Sequence, residues 1–290
     1  MTRLWTAWAL IAAGLFTGGV FLSGQTAMPR PRRGSGDSVT GAFEGWFSNP
    51  DGSRAFLVGY YNRNSQQQLD VPIGPNNRIE PGGPDMGQPT HFLPGRQWGM
   101  FMIPAPRDFK ATDSYVWTIV ANGQTTAIPL RLNPDYLMSP FAEISVGNTP
   151  PSIAFDPAGK KTQGPIAALA SAPARAASVS EPLQLPLWAT DDMKYTSSTG
   201  APMGTPRPAV AVRWSKYRGP GTVTFDNARP TVEKTSESAG AFAGRATATA
   251  KFSEPGDYVL HVIANDYSGD GGGGFGCCWT TGMLRVSVAP

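Results

Sequence analysis

The stretch 269–282, GDGGGGFGCCWTTG, holds the only two cysteines of the 290-residue chain, Cys277 and Cys278, side by side. Adjacent thiols lack the C-x-x-C spacing with which two thiolates face one tetrahedral metal, and a zinc site would need further ligands. The chain has only two histidines, His91 and His261. A blue-copper centre needs two His, one Cys and a weak Met; Cys278 and Met283 are suitably spaced, but no His lies between them. Thiol oxidation remains. A bridge between neighbours must join Cα atoms about 3.8 Å apart, whereas disulfides usually span roughly 4.4–6.8 Å, and the glycines before the pair tolerate the turn this forces. We expect a vicinal disulfide that stiffens a loop presenting Phe275 and Trp279; a redox pair and two free thiols are the alternatives.

Two other groups of residues have binding chemistry. Asp191, Asp192, Asp266 and Asp270 fall at strand ends that can meet at one end of a sandwich, where clustered oxygens suit calcium. The spacing in DYSGDGGGG is not that of an EF-hand, and the alternative is Asp bonding its own backbone in turns. No other cofactor is expected. The second group is aromatic: Tyr60, Tyr61, Phe92 and Trp98, with His91 and Arg96, flank turn-rich segments containing Asn62, Arg63, Gln66 and Gln67. Aromatic faces beside amide and guanidinium donors hold sugars, the ring covering the apolar face while the donors fix the hydroxyls. Trp46 and Trp117 read as core.

No G-x-S-x-G, H-E-x-x-H or P-loop is present, and an enzyme reading would rest on carboxylates whose separation a sequence does not give. The charge balance also excludes a partner. Of 24 Lys and Arg, four are Arg3, Arg30, Arg32 and Arg33, leaving 20 against 21 Asp and Glu in residues 34–290. With no basic excess there is no counterion-release drive toward nucleic acid.

The elements that must position these groups are strands. With 34 Gly, 28 Pro and 16% charged residues, the composition suits short strands and turns. Residues 1–27 contain the uncharged run LWTAWALIAAGLFTGGVFLSG, a signal peptide or a retained membrane anchor; no cysteine follows it to carry a lipid. Residues 28–38 read as a disordered linker. In VTGAFEGWF, Val39, Phe43 and Phe47 share one side. Asn122-Gly123 between β-branched runs signals a tight hairpin. Residues 39–140 thus form an N-terminal antiparallel sandwich carrying a long Pro- and Gly-rich loop, 141–151 a linker, and 152–290 a second sandwich with a flexible Ala/Ser/Pro-rich insertion at 157–180. In DYVLHVIAND, Tyr258, Leu260, Val262 and Ala264 share the core face and His261 points outward as an exposed polar residue.

The series LWATDD, VRWSKYRGPGTVTF, ATAKFSEPGDYVLHVIAND and MLRVSV resembles the immunoglobulin-like domains of bacterial surface proteins, the PKD type in particular. Leu187–Asp191, Trp214 and Phe252–Asp266 fall where that pattern has its A-x-D strand, its buried Trp and its last hairpin. The resemblance, confined to 149–290, implies a fold shared by spacers, adhesion units and accessory modules. The expectation is an all-β chain of two tandem sandwiches: an exported, non-catalytic envelope or secreted module binding polysaccharide or an envelope protein, and held at the membrane if its N-terminal segment stays attached. The alternative is an envelope enzyme or accessory subunit working through carboxylates.

Overall fold

The computed structural model describes residues 33–49, 51–143, 147–194, 208–238, 241–266 and 277–290. Residues 1–27, expected to be a signal peptide or anchor, and Phe275 lie outside them. Among the described residues no helix is long and apolar enough to cross a membrane.

Strand β1 (Val39–Ser48) pairs antiparallel with β2 (Arg54–Asn62), and β2 with β6 (Gly95–Ala105). Facing them is β4 (Asn77–Glu80), β7 (Tyr115–Ala121) and β8 (Gln124–Leu130); the short pair β3 (Leu69–Asp70) and β5 (His91–Phe92) lies in the connecting loop. The β7–β8 hairpin turns on Asn122 and Gly123, both at positive φ (49° and 71°), because only such a turn matches the strands' twist. Between the two sheets sit Phe56, Tyr60, Phe92, Phe101 and Trp117, all buried, with Trp117 Nε1 donating to Asn77 Oδ1 (3.0 Å).

In the second sandwich one sheet runs β10 (Thr162–Gln163), β9 (Ser152–Ala154), β12 (Leu183–Asp191), β16 (Ala241–Phe252), then β14 (Val223–Phe225), with β15 (Glu233–Ser238) also on β16. The other runs β11 (Ala174–Ser178), β18 (Trp279–Ala289), β17 (Gly256–Asn265), β13 (Ala211–Arg218). Taken as A, B, E, D against C, F, G, with β11 added beside G, this order is immunoglobulin-like. Two side chains mark it. Trp214 on the C-equivalent β13 is buried between the sheets. Tyr258, early in the F-equivalent β17, donates its hydroxyl to Glu254 O (2.8 Å) and accepts from Gly221 N–H (3.0 Å), the tyrosine corner of such sandwiches.

Several expectations change. The stretch 157–180 is built into the sheets as β10 and β11; β11 lies parallel to β18, Ala174 opposite Arg285 through Ser178 opposite Ala289. Residues 33–38 are not a free spacer: Gly34 O accepts from Gln66 and Gln67 N–H, and Asp37 N–H donates to Asn64 Oδ1 (2.7 Å), so their backbone polar groups are satisfied on the first sandwich. Phe47 does not share a face with Phe43, because the register slips at Glu44. His261 does lie opposite Tyr258 and Leu260, yet it is fully buried. The outer face of its sheet, with Tyr217, Val259, Ile263, Trp279 and Met283, continues the first sandwich's core, so Tyr258–Ala264 is buried without a break.

Candidate functional site

Two irregularities in the first sheet face each other across one glycine. Phe43 pairs with Val58 and Gly45 with Leu57, which leaves Glu44 as an extra residue in β1. On the other side Val58 pairs with Phe101 and Tyr60 with Gln97, so Trp98, Gly99 and Met100 oppose Gly59 alone. Bulges re-aim side chains, and these two aim at the same spot. The carboxylate of Glu44 crosses β2 to meet Arg96 Nη2 with both oxygens (2.7 Å each) and accepts from Gly99 N–H (3.3 Å). A Cβ on Gly59 would strike Glu44, Arg96 and the Gln97 carbonyl, so glycine is needed there for space. Gly99 is needed twice: its φ is +46°, and an added Cβ would come within 2.5 Å of the Trp279 ring.

The locked guanidinium supports an aromatic. Arg96 Nη1 donates to Tyr60 O and Gln97 O, and its Cζ sits 3.9 Å from the Trp98 ring centroid. Trp98 is 42% exposed, the largest of the few well-exposed apolar side chains among the described residues. Burial pushes the Glu44 carboxyl up, and Arg96 beside it offsets that shift only in part. Next along the sheet, Tyr61 stands opposite Arg96, with Arg63 over its ring at 5.2 Å. One face therefore carries Arg63, Tyr61, Arg96 and Trp98 in order.

The other expected binding residues are elsewhere. Tyr60 and Phe92 are core, packed edge to face at 5.0 Å, with Tyr60 Oη accepting from Leu93 N–H. His91 is buried in a cleft of about 210 Å³ between the sandwiches, Nδ1 on Asp70 Oδ1 (2.9 Å) and Nε2 on Gln68 Oε1 (3.0 Å). The Pro-rich loop joins the sandwiches. Lys216 Nζ donates to Asp70 (3.1 Å), Tyr217 Oη to Gly87 O (2.6 Å), and Arg218 forks onto both oxygens of Asp85 (2.8 and 2.9 Å). Arg218 holds Asp85 below the usual carboxylate range; at Asp70 burial acts upward, and His91 and Lys216 together outweigh it. At the same seam His261 stacks on Tyr217 (5.5 Å) with both ring nitrogens unpartnered. Burial first, then the Arg213 charge, pull its pKa down to about 3; the facing Met100 backbone favours the proton but closes no hydrogen bond.

The cysteines and aspartates meet at one end of the second sandwich. Cys277 and Cys278 form a disulfide. Both are buried against Asn148, whose carbonyl is 3.4 Å from Cys278 Sγ. The pair leads directly into β18, and Trp279, expected on a presented loop, is instead 3% exposed and turned toward Gly99; Phe275 lies outside the described residues. Asn148 Nδ2 donates to Asp266 Oδ2 (2.6 Å), and Thr149 Oγ1 donates to Asp192 Oδ2 (2.8 Å). Asp191 lines a cleft of about 480 Å³ and accepts from Met193 N–H, its other oxygen buried without a partner. Burial chiefly, with the Asp266 and Asp192 charges adding and the Met193 N–H opposing, pushes its pKa up to about 7. Asp270 lies outside the described residues. Among those described, no three His, Cys, Asp or Glu side chains are placed to hold a metal ion, so the calcium expectation finds no support there.

No family model matches the chain, and no curated protein matches it. Similar solved structures include a protein of unknown function from Porphyromonas gingivalis W83, 8% identical, covering 87% of this chain and 100% of that one, at a TM-score of 0.23. Domains 4 and 5 of the S-layer protein SbsC are 10% identical over 88% of this chain and 98% of theirs, TM-score 0.23. The D00-D0 domain of intimin is 11% identical over 86% and 97%, TM-score 0.23. Scores of this size do not establish a shared fold.

Proposed function

We propose that this chain is an exported, non-catalytic binding module of the cell envelope whose first sandwich holds polysaccharide on Trp98, while the second, PKD-like sandwich braces it. The observation that carries this is the exposed indole with the Arg96 guanidinium carbon 3.9 Å from its ring centroid, Arg96 itself being fixed by Glu44 across Gly59. An aromatic with two χ angles, pre-oriented by an ion pair at its back, presents its free face to a sugar ring at little entropic cost. The rigid seam through Lys216, Tyr217 and Arg218 suits a strut between an anchor and its ligand. Retention of the full chain on insoluble polysaccharides and envelope fractions tests the reading. We expect capture on a glycan, competed by its soluble oligomer and lost in Trp98→Ala with folding unchanged. Capture only on envelope protein, indifferent to Trp98, would contradict it.

A second reading has one observation in its favour. Asp191, with a pKa near 7 beside Asp192 and Asp266, has the perturbed carboxyl of an acid–base site. Turnover of an envelope substrate, abolished in Asp191→Asn, would establish that enzyme.

A further inference from the structure

We infer that the polysaccharide is acidic, bearing carboxylates as a polyuronate does; this rests on the sugar-binding reading above and adds a ligand class to it. The strip from Trp98 to Arg63 is asymmetric in charge. Arg96 Nη2 meets both Glu44 carboxylate oxygens at 2.7 Å, its Nη1 donates to the Tyr60 and Gln97 carbonyls, and its guanidinium lies against the Trp98 ring, so its charge is already balanced by Glu44. Arg63 is exposed, and among the described residues no carboxylate lies in salt-bridge range of it. Its guanidinium rests over Tyr61. Arg33, whose carbonyl accepts from Ser65 N–H (2.8 Å), brings a second exposed cation to this end of the strip.

Spacing adds to the argument. Tyr61 stands opposite Arg96 on the neighbouring antiparallel strand, with Arg63 two residues beyond it in one direction and Trp98 two residues beyond Arg96 in the other. At about 3.4 Å per residue the two ends are roughly 14 Å apart along the strands, the span of a short oligosaccharide. A chain with one unit stacked on Trp98 passes over Tyr61 and brings a unit further along to Arg63. A planar, always-charged fork there matches a carboxylate and gains little from a hydroxyl. The stack on Trp98 supplies contact and Arg63 supplies the choice among glycans.

The probes are polygalacturonate, the same polymer fully methyl-esterified, and dextran sulfate, run against the full chain in affinity electrophoresis. The ester keeps the backbone and removes the charge. We expect polygalacturonate to bind about 5-fold tighter than its ester, the size of one exposed charge pair, with the ratio falling toward one as salt shortens the Debye length. Arg63→Gln should lose the ratio and keep ester binding, and Trp98→Ala should lose both. Equal binding of acid and ester would overturn the acidic preference and leave sugar binding standing. A ratio unchanged in Arg63→Gln would overturn the role of Arg63. Dextran sulfate bound as well as polygalacturonate and independently of Trp98 would reduce the effect to unspecific charge. No binding of any probe or neutral glycan would remove both readings.

Discussion

Stability against pH should expose two buried groups that act in opposite directions. His261 has a folded pKa of about 3 against an ordinary 6.5. The unfolded chain takes its proton first, so this stability is present above pH 6.5 and is lost as pH falls toward 3. At ~1.4 kcal/mol per pH unit, acidifying from 6.5 to about 4.5 should cost roughly 2–3 kcal/mol through this residue alone. Asp191 has the reverse sign. Its folded pKa of about 7 stands above an ordinary 3.8, so the unfolded chain releases its proton first and stability is lost as pH rises from 3.8 to 7. Over the same interval acidification returns roughly 2–3 kcal/mol, and the raised Glu44 acts the same way near its ordinary 4.5. The wild type should therefore be nearly flat between about pH 4.5 and 6.5 by cancellation. His261→Leu should grow more stable in acid, and Asp191→Asn should lose stability in acid. Urea unfolding followed by tryptophan fluorescence at half-unit steps measures all three curves. Parallel curves for wild type and His261→Leu would refute the buried, neutral imidazole at the seam.

Three further outcomes follow from local geometry. Gly99→Ala meets the Trp279 ring and forces a side chain onto positive φ, so it should cost about 2–4 kcal/mol and open the seam to limited proteolysis. Tyr258→Phe leaves Gly221 N–H and Glu254 O without their shared hydroxyl and should lower stability by about 1–3 kcal/mol in denaturant titration. Cys277 and Cys278 are joined, so non-reducing peptide mass spectrometry of the unfolded full chain should find them bridged; alkylation of both thiols without prior reduction would contradict that.

Local patterns were the legible part of this fold. Asn122-Gly123 signals its hairpin because the turn needs positive φ at both residues, and Trp214 and Tyr258 mark the immunoglobulin-like sandwich because their positions are fixed by the strands that carry them. What the sequence hid was pairing at a distance. His261 alternates correctly with Tyr258 and Leu260, but alternation does not tell whether the outer face meets water or another sandwich. Tyr60, Phe92 and His91 have the composition of a sugar site, yet Tyr60 lies on the inner face of β2 packed on Phe92, and His91 is buried where β5 pairs with β3 and Lys216 docks on Asp70. Trp98 and Arg96 were legible as candidates, whereas their partner Glu44 was not. The cues were Gly45, Gly59 and Gly99 inside strands, where glycine marks a bulge or a close approach.

The central claim is that the indole held by Arg96 and Glu44 is where a glycan sits. Its most direct test is the Trp98 indole N–H resonance of the full chain, followed as soluble oligosaccharide is added. The account predicts saturable shifts at Trp98, Tyr61 and the Arg96 side chain, with the seam indole of Trp279 unmoved. Shifts confined to the Asp191 cleft, or none at Trp98 while the chain is retained on the matching polymer, would contradict it.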